Sequence, residues 1–206
     1  MRLLLVRHGE TEWNRLGRYQ GQSDVELNRA GLEQAKCLGR RLASEEIDVV
    51  YCSDLKRAIQ TVQPIASARS MTVTCCKELR ELYFGEFEGK YFEEIEDLYL
   101  PLEKSWRAGN LDVTAPGAET LAELGERVTK FVDGLRQRHV DETVLIVAHG
   151  GPLQMMICHL IGLDIQYWWR MHLDGASLSV VHIYPELNVL SLLNDTCHLR
   201  DLKEAG

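Results

Sequence analysis

The chain has 206 residues, 45% of them hydrophobic, and a formal net charge of −8. This length fits one α/β domain with a sizeable core, so we expect residues 1–206 to form a single domain. The acidic balance and the lack of any block of like charges argue against nucleic acids and anionic membranes as partners, although arginines that converge in a pocket can still bind a small anion.

The sequence patterns favour a cytoplasmic protein without a metal or other cofactor. The apolar run at the N-terminus is interrupted at Arg7, too early for a secretory signal, and no stretch has the length needed to span a bilayer. The six cysteines include no CxxC pair, so we expect reduced thiols. The seven histidines lack the spacing of transition-metal ligands.

The first predicted strand covers the apolar residues 3–6 and ends at Arg7, His8 and Gly9. Four consecutive apolar residues bounded by a glycine are typical of a strand buried on both faces of a parallel sheet. A guanidinium and an imidazole at the strand exit are costly to bury unless something there uses them. From this stretch alone, a surface ion pair for Arg7 and a loop position for His8 are equally acceptable.

A polar loop, a helix and a second strand come next. The loop ends at Asn28, which is typical of an N-cap. Apolar residues recur at helical spacing over 29–45, and the apolar run at 47–52 predicts a buried strand.

Another helix is predicted directly after the second strand. We expect Ser53 to cap it, Arg57 to lie in its first turn, and Pro64 to bend or end it. A short strand is predicted at 73–75.

The middle of the chain is less regular. We expect a lid-like insertion around 77–118, with a single short helix near 92–99.

The C-terminal half returns to regular alternation. Thr120 and Glu123 fit a capping box before a strongly amphipathic helix. The strand after it again ends in polar and small residues, His149 and Gly150. The predicted elements are a helix at 121–135, a strand at 144–148, a helix at 152–161 and two strands at 177–184 and 189–194.

Alternating strands and helices predict a mostly parallel sheet, in which ligands bind beyond the carboxyl ends of the strands. Three strand ends carry polar groups: Arg7 and His8 at the first, Arg57 after the second, and His149 at the later one. Two guanidiniums, two imidazoles and the N–H groups of a glycine-opened helix would form a cage for a phosphate-like anion.

The stretches VRHGETEWN, SDLKRAIQT, LRELYFGEFEG and IVAHGGP resemble the histidine phosphatase superfamily, through nearly the whole chain. The resemblance implies a three-layer α/β/α sandwich with a mostly parallel sheet, the phosphoglycerate-mutase-like fold. It also implies that His8 is the nucleophile and that Glu81 is the general acid. Arg7, Arg57 and His149, protonated or as a neutral donor, would hold the phosphoryl oxygens.

The same resemblance gives further residues a place in the substrate pocket: Asn14, Gln20, Gly21 and Gly150. Taken alone, Arg57 is more typical of a solvated surface charge, and Glu81 is one glutamate among many. The joint order of the motifs favours the site over that interpretation.

The chemistry of phosphoryl transfer fits these residue types. Charge on the equatorial oxygens calls for cationic donors, and a neutral imidazole has the lone pair for in-line attack. We expect Tyr83 and Phe84 to raise the pKa of Glu81, so that it can protonate the leaving alkoxide.

Three hypotheses of function remain. The first is a phosphomonoesterase that hydrolyses a small phosphorylated metabolite through a phosphohistidine. The second is a phosphoglycerate mutase, for which Lys90, Lys104 and Arg107 could supply cations for a substrate carboxylate. The third is a catalytically silent phospho-ligand binding protein, which would need the arginines but not His8 or Glu81.

Among phosphatases, the segments LRELYFGEFEG and APGAETLAELGERV most resemble the α-ribazole phosphatases of cobalamin assembly, which implies α-ribazole 5′-phosphate as a candidate substrate. The PGAE within them departs from the PGGES more usual in that group. The remaining histidines are interpreted as packing or surface residues. Trp168 and Trp169 are interpreted as core or subunit-interface residues, which leaves a homodimer open.

Overall fold

The computed structural model describes residues 1–204 and contains one six-stranded sheet. The strands lie in the order β3-β2-β4-β1-β5-β6. The first four in this order run parallel, whereas β5 and β6 are antiparallel to their neighbours. The strand bounds are β1 Arg2–Arg7, β2 Val49–Ser53, β3 Val73–Cys76, β4 Thr143–Ala148, β5 Leu178–Ile183 and β6 Asn188–Asp195. The mostly parallel sheet is confirmed.

Seven α-helices connect or follow the strands in the described residues. Their bounds are α1 Glu12–Arg15, α2 Arg29–Arg41, α3 Lys56–Arg69, α4 Phe92–Arg107, α5 Leu121–Arg138, α6 Gly150–Ile161 and α7 Arg200–Glu204. Within residues 1–204, none of the helices has both the length and the apolar character required for a membrane span.

Helices cover both faces of the sheet. Alternate residues of each buried strand point to opposite sides, so the apolar side chains of a strand contribute to two cores. In β1, Leu3 and Leu5 belong to a core shared with α5 and α6. Leu4 and Val6 belong to a second core shared with α2 and α3. The unbroken apolar run of β1 thus reflects burial on both faces, and the three-layer α/β/α sandwich is confirmed.

The helix caps were predicted with mixed success. Asn28 caps α2 by accepting from the Gly31 N–H at 2.8 Å, and Thr120 with Glu123 forms the expected capping box of α5. Ser53 as a cap is wrong, because it is the last residue of β2 and α3 begins only at Lys56.

Two helices continue beyond a proline. Pro64 lies inside α3 and does not end it. The helix predicted near 92–99 continues to Arg107 through Pro101, and buries Ile95 and Trp106 on one face. Burial of this face compensates for the backbone hydrogen bond that proline removes. The short helix α1 was not predicted.

Candidate active site

The carboxyl ends of β1, β2 and β4 meet at one edge of the sheet, as predicted. Arg7 at the end of β1 pairs in register with Ala148 at the end of β4. This register brings the two histidines that follow these strands together, with ring centroids 4.9 Å apart. His8 is 3% exposed and His149 is fully buried. Because both imidazoles are buried, their ring nitrogens need hydrogen-bond partners.

His8 presents one ring nitrogen to the site and uses the other for its own backbone. Its Nδ1–H donates to the Gly9 carbonyl at 2.7 Å, because a carbonyl can only accept. The described residues provide no hydrogen bond to Nε2, which therefore keeps its lone pair. Burial, and then the charges of Arg57 and Arg7, lower the pKa of His8 well below its usual value, so the ring is neutral.

His149 has the opposite tautomer. The Arg57 Nε–H donates to His149 Nδ1 at 3.1 Å, so the ring proton is on Nε2. That Nε2–H donates to Ser53 Oγ at 2.8 Å. Burial, and then the Arg57 charge, lower the pKa of His149 well below its usual value. His149 is therefore a neutral donor and not an imidazolium.

Arg57 is fully buried and fastened by three hydrogen bonds. Besides His149, it donates from Nη1 to the Ser23 carbonyl at 2.8 Å and from Nη2 to the Gly21 carbonyl at 2.6 Å. Burial lowers the pKa of Arg57 to about 10, which leaves the guanidinium charged at neutral pH. Since a guanidinium has five N–H donors, two remain for a ligand.

Arg7 is also held by a hydrogen bond to the protein, and it keeps an N–H donor that none of the described residues uses. Its Nη1 donates to the Leu173 carbonyl, whereas its buried Nε has no acceptor among the described residues. Burial lowers the pKa of Arg7, while the charges of Glu81 and Asp174 act in the opposite direction. A buried donor without a protein partner is rare, and it marks a place where a ligand oxygen can bind.

Glu81 lies against the start of α6. Its Oε1 accepts from the Leu82 N–H at 2.8 Å and from the Gly151 N–H at 3.2 Å. A Cβ on Gly151 would lie only 2.5 Å from the same oxygen, so a larger residue here would displace the Glu81 carboxyl group. The carboxyl group is thus fixed near a helix N-terminus.

The other residues expected in the pocket contribute to the site in different ways, some through the backbone and some through the side chain. Gly150 is the first residue of α6, and Gly21 contributes its carbonyl to Arg57. The Asn14 Oδ1 accepts from the Thr11 N–H at 3.1 Å and so helps to cap α1, while Arg7 and Asn14 line one cavity of about 350 Å³. Gln20 is buried and accepts from the Thr11 hydroxyl.

A second cavity of about 210 Å³ lies between Arg7, Glu81 and the N-terminus of α6. It has six apolar side chains in its wall, namely Leu82, Phe84, Leu121, Leu124, Trp168 and Leu173. Tyr83, which was expected beside Glu81, is 42% exposed and does not line this cavity. Of the two expected residues, Phe84 is the one that lines this cavity.

Sequence reasoning missed four residues here. Ser53 contacts His149, while Gln154, His172 and Trp168 line the cavity. Gln154 lies four residues after Gly150, a spacing that places both on one helix face. His172 is a surface residue, as expected, but it lies at the rim of the site. In residues 1–204, no group of three or more His, Cys, Asp or Glu residues could hold a metal ion.

Comparison with known proteins agrees with this geometry. The model of the histidine phosphatase superfamily (branch 1) matches residues 3–196. Phosphoserine phosphatase 1 of Hydrogenobacter thermophilus is 39% identical over 199 residues, 97% of this chain and 94% of that protein. The adenosylcobalamin/α-ribazole phosphatase of Escherichia coli is 30% identical over 94% of this chain and 96% of its own length. The α-ribazole phosphatase structure from Shigella flexneri superposes with a TM-score of 0.86 at 31% identity, covering 95% of this chain and 96% of its own.

Proposed function

Because this chain belongs to the histidine phosphatase superfamily and is a phosphoric monoester hydrolase, we propose that it acts through a phosphohistidine formed at His8. The observation that carries the proposal is the fixed tautomer of His8, whose Nδ1–H is bound to Gly9 while Nε2 keeps its lone pair. The buried Arg57 and the half-buried Arg7, both with unused donors, flank it. This arrangement suits in-line attack on a phosphoryl group.

The proposed reaction has two steps. In the first, His8 Nε2 attacks phosphorus, the bond between phosphorus and the ester oxygen breaks, and Glu81 donates its proton to the departing oxygen. In the second, the Glu81 carboxylate accepts a proton from water, the water oxygen attacks phosphorus, and the bond to His8 breaks. Phosphate then leaves, and both residues return to their starting states.

The phosphoryl oxygens would be held by the donors that the protein leaves unused. Arg57 has two remaining N–H groups, and Arg7 has its buried Nε–H. The neutral His149 ring would donate its Nε2–H to a phosphoryl oxygen in place of Ser53 Oγ. Asn14, Gln20, Gly21 and Gly150 would shape the same pocket.

Two substrates are favoured by different observations. α-Ribazole 5′-phosphate, with a place in cobalamin assembly, is supported by the likeness to the α-ribazole phosphatases. Phosphoserine is supported by the 39% identity to a phosphoserine phosphatase. The part of the site beside Glu81, where the alcohol would lie, has a volume of only about 210 Å³, which favours the smaller alcohol. We also propose a cytoplasmic location, supported by six cysteines without a disulfide partner.

The lining of the cavity favours hydrolysis over mutase activity. Besides Arg7, its only basic side chain among the described residues is His172, and Lys90, Lys104 and Arg107 lie elsewhere. A mutase needs cations for the carboxylate of phosphoglycerate. With 3-phosphoglycerate and a trace of 2,3-bisphosphoglycerate, we expect little 2-phosphoglycerate. Rapid isomer formation without phosphate release would contradict the hydrolase assignment.

Phosphate release tests the proposal directly. The wild-type protein, His8→Ala and the control His182→Ala would be compared on p-nitrophenyl phosphate, phosphoserine and α-ribazole 5′-phosphate. His182 pairs with Arg2 at the far end of the sheet, so its substitution should leave turnover intact. We expect His8→Ala to lose activity on every substrate. Equal turnover by His8→Ala and the wild type would refute a role for His8.

A further inference from the structure

Three polar atoms surround an open space beside Gly150. A Cβ placed on this glycine would lie 3.7 Å from Glu81 Oε2, 3.8 Å from Arg7 Nε and 4.0 Å from Gln154 Oε1. Glu81 and Arg7 already belong to the proposed reaction. Gln154 has no role in it, although its side-chain oxygen faces the same space.

The orientation of the Gln154 amide is fixed by the protein. Its Nε2 donates to the Met171 carbonyl, so Oε1 is the atom that faces Gly150. None of the described residues donates a hydrogen bond to this Oε1. Gln154 therefore offers an oriented acceptor to whatever occupies the cavity.

We propose that Gln154 determines substrate specificity by accepting a hydrogen bond from a hydroxyl or ammonium group on the carbon next to the phosphorylated carbon. The substrate class is then phosphate esters of 1,2-diols and 2-amino alcohols. This inference rests on the proposed function, because it places the ester oxygen beside Glu81.

The position of the donor follows from the shared space. The ester oxygen must lie near Glu81 Oε2 to receive its proton, and Gln154 Oε1 faces the same space. A donor one carbon beyond the ester carbon can therefore reach Oε1. A carboxylate next to Gln154 Oε1 would oppose an atom that can only accept, whereas an ammonium or hydroxyl group can donate to it.

Most of the remaining wall of the cavity is apolar, apart from the indole N–H of Trp168 and the ring of His172. Leu82, Phe84 and Leu124 line it, and they provide no competing hydrogen bonds from their side chains. An ester without the donor leaves Gln154 Oε1 without a substrate partner. Sites built to bind a polar substrate group discriminate against analogues that lack it, here by about tenfold for one neutral acceptor.

Three esters of nearly equal size provide the test: 2-aminoethyl phosphate, 2-hydroxyethyl phosphate and propyl phosphate. For the wild type, we expect kcat/KM for the first two to exceed that for propyl phosphate by about tenfold. Gln154→Met should bring both ratios close to one. Gln154→Glu should favour the aminoethyl ester over the hydroxyethyl ester, because it adds a negative charge. The control Gln137→Met, on the exposed side of α5, should keep the wild-type ratios.

The outcomes separate this inference from the function on which it rests. The absence of any preference in the wild type, or wild-type ratios in Gln154→Met, would overturn the role of Gln154. Thermal melting establishes that each variant is folded. Retained hydrolysis of p-nitrophenyl phosphate by His8→Ala would instead overturn the phosphohistidine, whatever the ratios are.

Discussion

The two histidines of the site hold their protons on different ring nitrogens, and each choice has a structural cause. The Gly9 carbonyl fixes the proton of His8 on Nδ1, and the Arg57 guanidinium fixes that of His149 on Nε2. The His8 ring therefore has a lone pair for attack on phosphorus, and the His149 ring has an N–H that can donate to a phosphoryl oxygen. Two buried hydroxyls support this arrangement: Ser53 contacts His149, and Thr61 accepts from the Gly9 N–H at 3.0 Å.

The role proposed for Glu81 depends on the leaving group. Glu81→Gln removes the proton donor, so turnover of alkyl phosphates should fall by about 10²-fold or more. Aryl phosphates should be affected much less, because a phenolate departs with little need for a proton. Steady-state rates on propyl phosphate and p-nitrophenyl phosphate measure the difference. Equal losses on both substrates would exclude Glu81 as the acid.

At the scale of elements, the segment that contains Glu81 is tied to the loop before α2. The Glu88 carboxylate accepts from the Gln22 N–H at 2.7 Å and from the Ser23 N–H at 2.8 Å. Arg127 on α5 holds the other side, donating to the Glu81 carbonyl at 3.0 Å. The part of the expected lid before α4 is thus anchored to the site.

Arg127 provides a test of this anchoring. It also donates to Glu78 and forms two hydrogen bonds with Glu119, the glutamate of the PGAE segment. Arg127→Met should lower kcat on alkyl phosphates by about tenfold, with a smaller loss on aryl phosphates, because Glu81 loses its position. Unfolding free energy should fall by about 1–3 kcal/mol.

Lys130→Met is the matched control for Arg127→Met. Lys130 lies on the same helix and pairs with Glu126 at an exposed position, where ion pairs contribute little. Its activity and its urea denaturation should match the wild type. If the two variants lose activity alike, the contacts of Arg127 do not position Glu81.

We propose that α4 is the mobile part of the lid-like insertion around 77–118. Only Ile95 and Trp106 of this helix are buried, and Leu98 is 60% exposed. Few buried contacts allow local opening, so amides of α4 should exchange with deuterium faster than those of α5. Phosphate or vanadate in the site should slow exchange in α4. Equal protection of α4 and α5 without ligand would contradict the proposal.

At the scale of the whole molecule, the two buried neutral imidazoles connect stability to pH. The pKa of both His8 and His149 is lowered in the folded state, chiefly by burial, whereas an unfolded histidine titrates near about 6.5. Below that pH the unfolded chain binds up to two more protons at these positions. The unfolding free energy should therefore decrease as pH falls, by up to about 2.7 kcal/mol per pH unit.

Urea denaturation between pH 7.5 and 5.5 measures this dependence. The double variant His8→Asn/His149→Asn lacks both groups, so its unfolding free energy should change much less over the same range. The exposed His172 supplies a control, since His172→Asn should keep the wild-type slope. An unaltered slope in the double variant would show that other groups cause the acid sensitivity.

The sequence predicts those features of this molecule that depend on local pattern. The apolar run of β1, the cap at Asn28 and the capping box of Thr120 each follow from a few neighbouring residues. The place of Ser53 in β2 depends on sheet register, which a local pattern does not contain. Trp168 and Gln154 face the cavity because separate segments pack there, so spacing alone could not identify them.

The residues proposed for catalysis can be predicted for a different reason. Their positions at three strand ends, together with the family resemblance, point to Arg7, His8, Arg57 and His149, and the structure brings these residues together. The tautomers were not predictable, because they depend on contacts between residues far apart in the chain. Glu81 was found through the resemblance, since its fixed place beside Gly151 has no local signal.

The most direct test of the phosphohistidine mechanism is the identity of the phosphorylated residue during turnover. Wild-type protein mixed with p-nitrophenyl phosphate would be quenched with base within the first turnover and mapped by peptide mass spectrometry. We expect a phosphoryl group on His8 that is stable to base and lost in acid, that forms before steady state, and that is absent from His8→Asn. Turnover without any phosphorylated protein, or a phosphoryl group on another residue, would contradict this mechanism.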